Sequence, residues 1–111
     1  MMRIAMSSAA SALLRALVAR ASVSRDRILL TEAQSIDWQS LTFTGERHHI
    51  DLHVTGRDAG TVVERMCAGL ADAEFSIPGV IVADIGVLGK PHVAADGSVT
   101  ITIEALTVCE D

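Results

Sequence analysis

Two segments of the chain alternate between apolar and polar residues, and this pattern constrains the fold more than any other feature. The first runs from Phe43 to Val54 and the second from Val99 to Glu104. Successive side chains of a β-strand point to opposite faces of the sheet, so each segment would turn an apolar side to a core and a polar side away from it. We therefore expect both segments to be strands of one sheet with one covered face.

Further strands are expected around these two segments. The short Gly45–Arg47 connection between Thr42–Thr44 and His48–Val54 predicts a hairpin turn, because a glycine lies between two strand-like segments. The apolar stretch Val80–Leu88 predicts a buried strand, and Arg27–Ala33 predicts an additional edge strand. The hairpin would bring Leu41 and Phe43 to the apolar side of the sheet.

A helix is expected between the strand segments. Apolar residues recur there at helical spacing, at Val62, Val63, Met66, Cys67 and Leu70. Asp58 or Thr61 would cap the helix, and Thr61 with Glu64 would form a capping box. Pro78 would stop any continuation of the helix.

The first 24 residues contain no acidic residue and are rich in alanine, serine and arginine. This composition is typical of a targeting segment. The spacing instead indicates an amphipathic helix capped by Ser7 or Ser8. The expected apolar stripe comprises Met6, Ala10, Leu13, Leu14, Leu17 and Ala21. An amphipathic helix, a processed leader and an over-extended start remain open for residues 1–24, ahead of a single α+β domain at residues 25–111.

The order of these elements favours the α+β class. Runs of strands with a helix between them are typical of a two-layer sandwich. We expect a four- or five-stranded, mostly antiparallel sheet with one central helix and an additional N-terminal helix. A chain of 111 residues can bury one core but not two.

The charge distribution argues against two classes of partner. Residues 1–27 contain five arginines and one carboxylate, whereas the remainder has four cationic residues against thirteen carboxylates. Because so acidic a body repels phosphate groups, we expect neither nucleic acid nor a membrane surface as a partner. No apolar stretch approaches the ~20 residues of a membrane-spanning helix. The two separated cysteines, Cys67 and Cys109, indicate no disulfide framework, so we expect a soluble protein of the reducing cytoplasm.

Ionisable residues converge only on the polar side of the expected sheet. His49, Asp51 and His53 alternate along one strand, and Glu104 lies on another. Residues two apart on a strand are separated by about 6.8 Å and residues four apart by about 13.6 Å, so this strand can offer at most two ligands to one ion. We take these four residues as the candidate binding site, and the pattern alone indicates neither a metal nor a cofactor.

Two functional hypotheses follow. The first is a non-catalytic module that binds itself, most simply as a homodimer, or binds another protein, since an open sheet face and strand edges invite association. The alternative is a small metal-binding protein or enzyme that uses the polar sheet face. The sequence contains none of the common catalytic motifs, so no catalytic residue is assigned and the first hypothesis is preferred.

Overall fold

Two helices and one sheet of six strands make up the structure, a computed structural model that describes residues 4–110. The helices are α1 (Ser8–Ala21) and α2 (Ala59–Cys67). The strands are β1 (Ile4–Ala5), β2 (Ile28–Gln39), β3 (Thr44–Val54), β4 (Val80–Val87), β5 (His92–Val93) and β6 (Val99–Cys109). Their order is β1-β2-β3-β6-β4, and β5 also pairs with β6. The α+β class with a mostly antiparallel sheet is confirmed, but six strands replace the expected four or five, and β1 pairs with β2 in parallel.

The central pair, β3 and β6, organises the core. Ile50 lies opposite Ile103, and Leu52 lies opposite Ile101. All four side chains are buried together with residues of both helices. Directly paired residues lie on the same face, so the alternation gives a continuous apolar inner face under the helices. The expected strand character and facing are confirmed for His48–Val54 and Val99–Glu104.

Helix α1 packs on this inner face. The Ser7 hydroxyl accepts a hydrogen bond from the Ala10 amide at 3.2 Å, which satisfies one of the free N–H groups of the first turn. Leu13 and Leu17 are fully buried in the core. Among the described residues, neither helix has the length and apolar character needed to cross a membrane.

Helix α2 begins differently from the expectation. It starts after Asp58, whose side chain makes no capping bond, and Thr61 lies inside the helix. The capping-box prediction is therefore wrong. The Asp58 carboxylate instead forms an ion pair with Arg27, which also donates to the Thr55 carbonyl at 2.7 Å. The helix ends at Cys67, well before Pro78. Leu70 belongs to a separate 3-10 turn that follows, and its side chain is buried.

The last turns of the two helices are linked by reciprocal arginines. Arg20 of α1 donates to the carbonyl oxygens of Met66, at 2.9 Å, and Ala68. Arg65 of α2 donates to the Ala21 carbonyl at 2.7 Å. Because the last carbonyls of a helix lack partners within the helix, each arginine satisfies groups that the other helix leaves free.

The predicted hairpin turn at Gly45–Arg47 is wrong. These residues lie within β3, and the turn is at Ser40–Phe43, where the Ser40 amide donates to the Phe43 carbonyl at 2.8 Å. Leu41 is 105% exposed and Phe43 56% exposed, so their assignment to the apolar side was also wrong. A Cβ atom at Gly45 would collide with the Thr107 carbonyl and come within 3.0 Å of Trp38 Nε1. Glycine is therefore required at position 45 for close packing rather than for a turn.

Two bulges keep carboxylates out of the core. In β2 the register shifts between Leu30 and Glu32, and in β4 it shifts between Val82 and Asp84. Without these shifts the alternation would turn each carboxylate to the inner face, where burial of an unpaired charge is costly. With them, Glu32 and Asp84 lie on the outer face. Strand β4 is an edge strand in which Ile85 alone is fully buried, rather than the buried strand expected.

Replacing a core leucine should distinguish the packed surface of α1 from the exposed turn. We expect Leu17→Ala to lower the free energy of unfolding by about 2–5 kcal/mol, because a fully buried leucine leaves a cavity. The matched change Leu41→Ala should alter it by less than about 0.5 kcal/mol, since that side chain is in water. Urea denaturation of both variants measures this. Equal effects of the two substitutions would contradict the packing of α1 on the sheet.

Candidate functional site

The outer face of the sheet, which points away from the helices, is divided into two halves by the register of its strands. The polar half contains Glu32, Gln34, His49, Asp51, His53, Thr100, Thr102 and Glu104. The apolar half contains Ile36, Trp38, Ile81, Leu106 and Val108, and Gly45, Arg47 and Asp84 lie in the same rows. The expectation that this face is polar throughout is therefore wrong for the end near the Ser40–Phe43 turn. The candidate site lies in the polar half.

His49 is the centre of the polar half. Its Nε2 atom lies 3.2 Å from Asp51 Oδ1, and its Nδ1 atom lies 3.3 Å from Glu104 Oε2. Asp51 is two residues away along β3, and Glu104 is the direct partner of His49 on β6. The imidazole ring therefore bridges two carboxylates, with about a third of the side chain exposed to solvent.

Asp51 and His53 have separate hydroxyl partners. The Thr102 hydroxyl donates to Asp51 Oδ1 at 2.5 Å, and His53 Nδ1 lies 3.1 Å from the Thr100 hydroxyl. Both threonines lie on β6 opposite the residue they contact. The structure thus brings together His49, Asp51 and Glu104, whereas His53 points to a neighbouring hydroxyl and does not join them.

Glu32 is a member of this cluster that the sequence did not suggest. It is the direct partner of Asp51 across β2 and β3. One ligand atom from each of Glu32, His49 and Asp51 lies within 4.8 Å of the other two. The available signal was its place within the predicted edge strand Arg27–Ala33. Its outward facing was not predictable, because the bulge at Thr31 leaves no trace in the residue pattern.

The neighbouring His48 points to the inner face, where a hydroxyl group contacts each of its ring nitrogens. Its Nδ1 lies 2.9 Å from the Ser35 hydroxyl, and its Nε2 lies 2.9 Å from the Thr107 hydroxyl. The side chain is fully buried. Desolvation lowers the pKa of His48, which outweighs the opposing attraction of Glu46. A neutral ring with both nitrogens engaged fits a role in core packing.

His49 has the opposite electrostatic environment. Desolvation lowers its pKa, but the hydrogen bond to Glu104 and the attraction of Asp51 outweigh that effect, so the pKa is raised above the ordinary histidine value. A cationic ring between two carboxylates is thereby favoured. The site can hold a proton on the His49 ring, or another cation beside Glu32 and Asp51.

The cysteines do not add a nucleophile to the site. Cys67 packs against the core on α2, and Cys109 is exposed at the end of β6. Desolvation raises the pKa of the Cys67 thiol against the opposing effect of Arg20, which keeps the sulfur protonated and less reactive.

We expect the pKa of His48 to lie below the ordinary histidine value of about 6.5 and the pKa of His49 to lie above it. His48 stays neutral in the folded chain, so its protonation in the unfolded chain lowers stability as the pH falls below about 6.5. His49 adds stability that is complete below about pH 6.5 and is lost as the pH rises through its higher folded pKa. NMR titration of the ring signals measures both values. The reverse order of the two pKa values would contradict the described contacts.

Comparison with known proteins adds no assignment to this geometry. No family model matches the chain, and a search of curated proteins finds no significant match. The functional conclusion therefore rests on the two halves of the outer sheet face.

Proposed function

We propose that this chain is a small non-catalytic protein that forms a homodimer through the apolar half of its outer sheet face. The observation that supports this most directly is the exposure of Ile36 and Ile81, each 53%, beside Leu106 and Val108 on a face that no element of residues 4–110 covers. Exposed apolar surface of this kind is typical of association sites.

The apolar side chains are grouped at one end of the outer face rather than scattered over it. One row across the sheet runs through Trp38, Gly45, Val108 and Ile81, from β2 to β4. Gly45 has no side chain, and Trp38 Nε1 comes within 3.0 Å of where its Cβ atom would be, whereas Val108 and Ile81 are direct neighbours on strands about 4.8 Å apart. Single exposed apolar residues are common, whereas a connected patch on a flat sheet favours a partner surface.

Two charges within the apolar half favour a second copy of the chain as the partner. The next row contains Ile36, Arg47, Leu106 and Asp84, so opposite charges stand on either side of Leu106. Consider a two-fold axis along β6 that places Leu106 and Val108 against their counterparts. Each Arg47 then faces Asp84 of the other copy, and the surface is complementary to itself.

The two-fold arrangement also limits how far the dimer interface extends along β6. Glu104 follows Leu106 on the outer face, and a two-fold pair would bring two Glu104 carboxylates towards each other. Like charges oppose close contact, so we expect the two-fold axis to be inclined to β6 and the two sheets to diverge from Leu106 towards the polar half.

We also assign the protein to a reducing compartment, the cytoplasm. Cys67 and Cys109 are both free thiols, and Cys109 is exposed. An exposed thiol in an oxidising compartment would be open to disulfide exchange. The acidic body supports protein rather than nucleic acid or a membrane as the partner.

Charge reversal tests the dimer. We expect Arg47→Asp or Asp84→Arg alone to weaken the homodimer by about tenfold or more, because each change places like charges across both symmetry-related contacts. The double variant should recover most of the affinity. Sedimentation equilibrium over a concentration series gives the dissociation constants.

Arg15→Asp is the matched control, because Arg15 is an exposed arginine on α1, in the helix layer. It should leave the dimer unchanged. A strictly monomeric wild-type chain at high concentration would overturn the proposal. A dimer that Arg15→Asp weakens while Arg47→Asp and Asp84→Arg leave it intact would place the interface elsewhere and overturn it as well.

A further inference from the structure

The polar half of the outer face contains a donor set suited to a metal ion, apart from the proposed dimer interface. Glu32, His49 and Asp51 come from β2 and β3, the strands whose pairing holds Glu32 directly opposite Asp51. One oxygen or nitrogen atom from each residue lies within 4.8 Å of the other two. All three side chains are partly buried, so their positions are held by the sheet while one side of the cluster faces solvent.

Two contacts orient these groups. With Nε2 of His49 turned towards Asp51, at 3.2 Å, Nδ1 is turned towards Glu104, at 3.3 Å. When a cation binds the Nε2 lone pair, the ring proton is on Nδ1, and the Glu104 carboxylate accepts a hydrogen bond from Nδ1–H. A carboxylate in this position fixes the tautomer and orientation of a metal-binding histidine. Thr102 orients Asp51 by donating to its Oδ1 atom.

The charge of the cluster also favours a bound cation. Glu32 and Asp51 each bring an oxygen within 4.8 Å of a His49 ring nitrogen. Glu104 lies at Nδ1 of the same ring, and within residues 4–110 the ion pairs made by Asp51 and Glu104 are with His49 alone. Nearby carboxylates repel one another unless a positive group is bound between them. A divalent ion satisfies this requirement better than a single charge on the ring.

We propose that Glu32, His49 and Asp51 bind one divalent transition-metal ion of the zinc class, with Glu104 as the positioning residue of His49. One imidazole and two carboxylates suit such an ion better than Mg²⁺ or Ca²⁺, which prefer ligand sets made of oxygen alone. Solvent completes the coordination from the open side. His53 is excluded from the ligands because it lies beyond Asp51 and contacts Thr100.

Zinc chloride titrated calorimetrically into the full chain tests the proposal. We expect one Zn²⁺ ion per wild-type chain. His49→Gln and Glu32→Gln should each abolish this binding, while the matched change His53→Gln should leave it intact. Cys109→Ser should also bind normally, which separates the site from the exposed thiol.

Glu104→Gln tests the positioning role. We expect its Zn²⁺ affinity to fall by about 10–100-fold with an unchanged stoichiometry, as for other outer-shell partners of metal ligands. Nitrogen NMR of the zinc-bound His49 ring should show protonated Nδ1 in the wild type, and a changed Nδ1–H signal in the variant. An identical Nδ1–H signal and affinity in Glu104→Gln would refute the positioning role.

Thermal unfolding of each metal-free variant provides the check on folding. The proposal is overturned if the wild-type chain binds no stoichiometric Zn²⁺. It is equally overturned if folded Glu32→Gln and His49→Gln bind with wild-type affinity, or if Cys109→Ser alone removes the ion. None of these results depends on dimer formation, because sedimentation of the same variants reports the dimer separately.

Discussion

The antiparallel pairing of β3 with β6 determines what each face of this protein can do. Its register places Ile50 against Ile103 and Leu52 against Ile101, so that one face is apolar without interruption and covered by both helices. The alternate residues are then necessarily directed outward. A shift of one residue in either strand would exchange core and surface for every side chain of that strand. The position of His49 beside Glu104 and the exposure of Leu106 both follow from this one register.

The two bulges extend this separation to the outer strands. Each bulge inserts one residue before a carboxylate. The acidic side chain is thereby turned outward, and the apolar residue that follows it points to the inner face. Ala33 replaces Glu32 in the core of β2, and Ile85 replaces Asp84 in the core of β4. The acidic groups that leave the core become part of the outer face, one in the polar half and one beside the apolar half. The same local irregularity thus protects the core and supplies charge to the surface.

The sequence predicted well those parts of the fold that depend on local periodicity. The alternation of β3 and β6 identified their buried residues, and helical spacing identified the buried face of α2. It failed at Gly45, because a glycine in a short segment is typical of a turn, whereas here the close approach of Thr107 and Trp38 requires it. It also missed Glu32, because the bulge that turns this residue outward depends on strand pairing. Three of the four candidate site residues, His49, Asp51 and Glu104, lie together because they share a face and adjacent strands.

The reciprocal contacts of Arg20 and Arg65 have a consequence for motion in the helical layer. Each side chain holds the final carbonyl groups of the opposite helix, so the end of one helix cannot unwind without releasing a bond that secures the other. Local opening in such an arrangement is shared between the two elements. The amide protons of both final turns should therefore exchange with solvent in a single cooperative event, although 44 residues separate Ala21 from Arg65 in the chain.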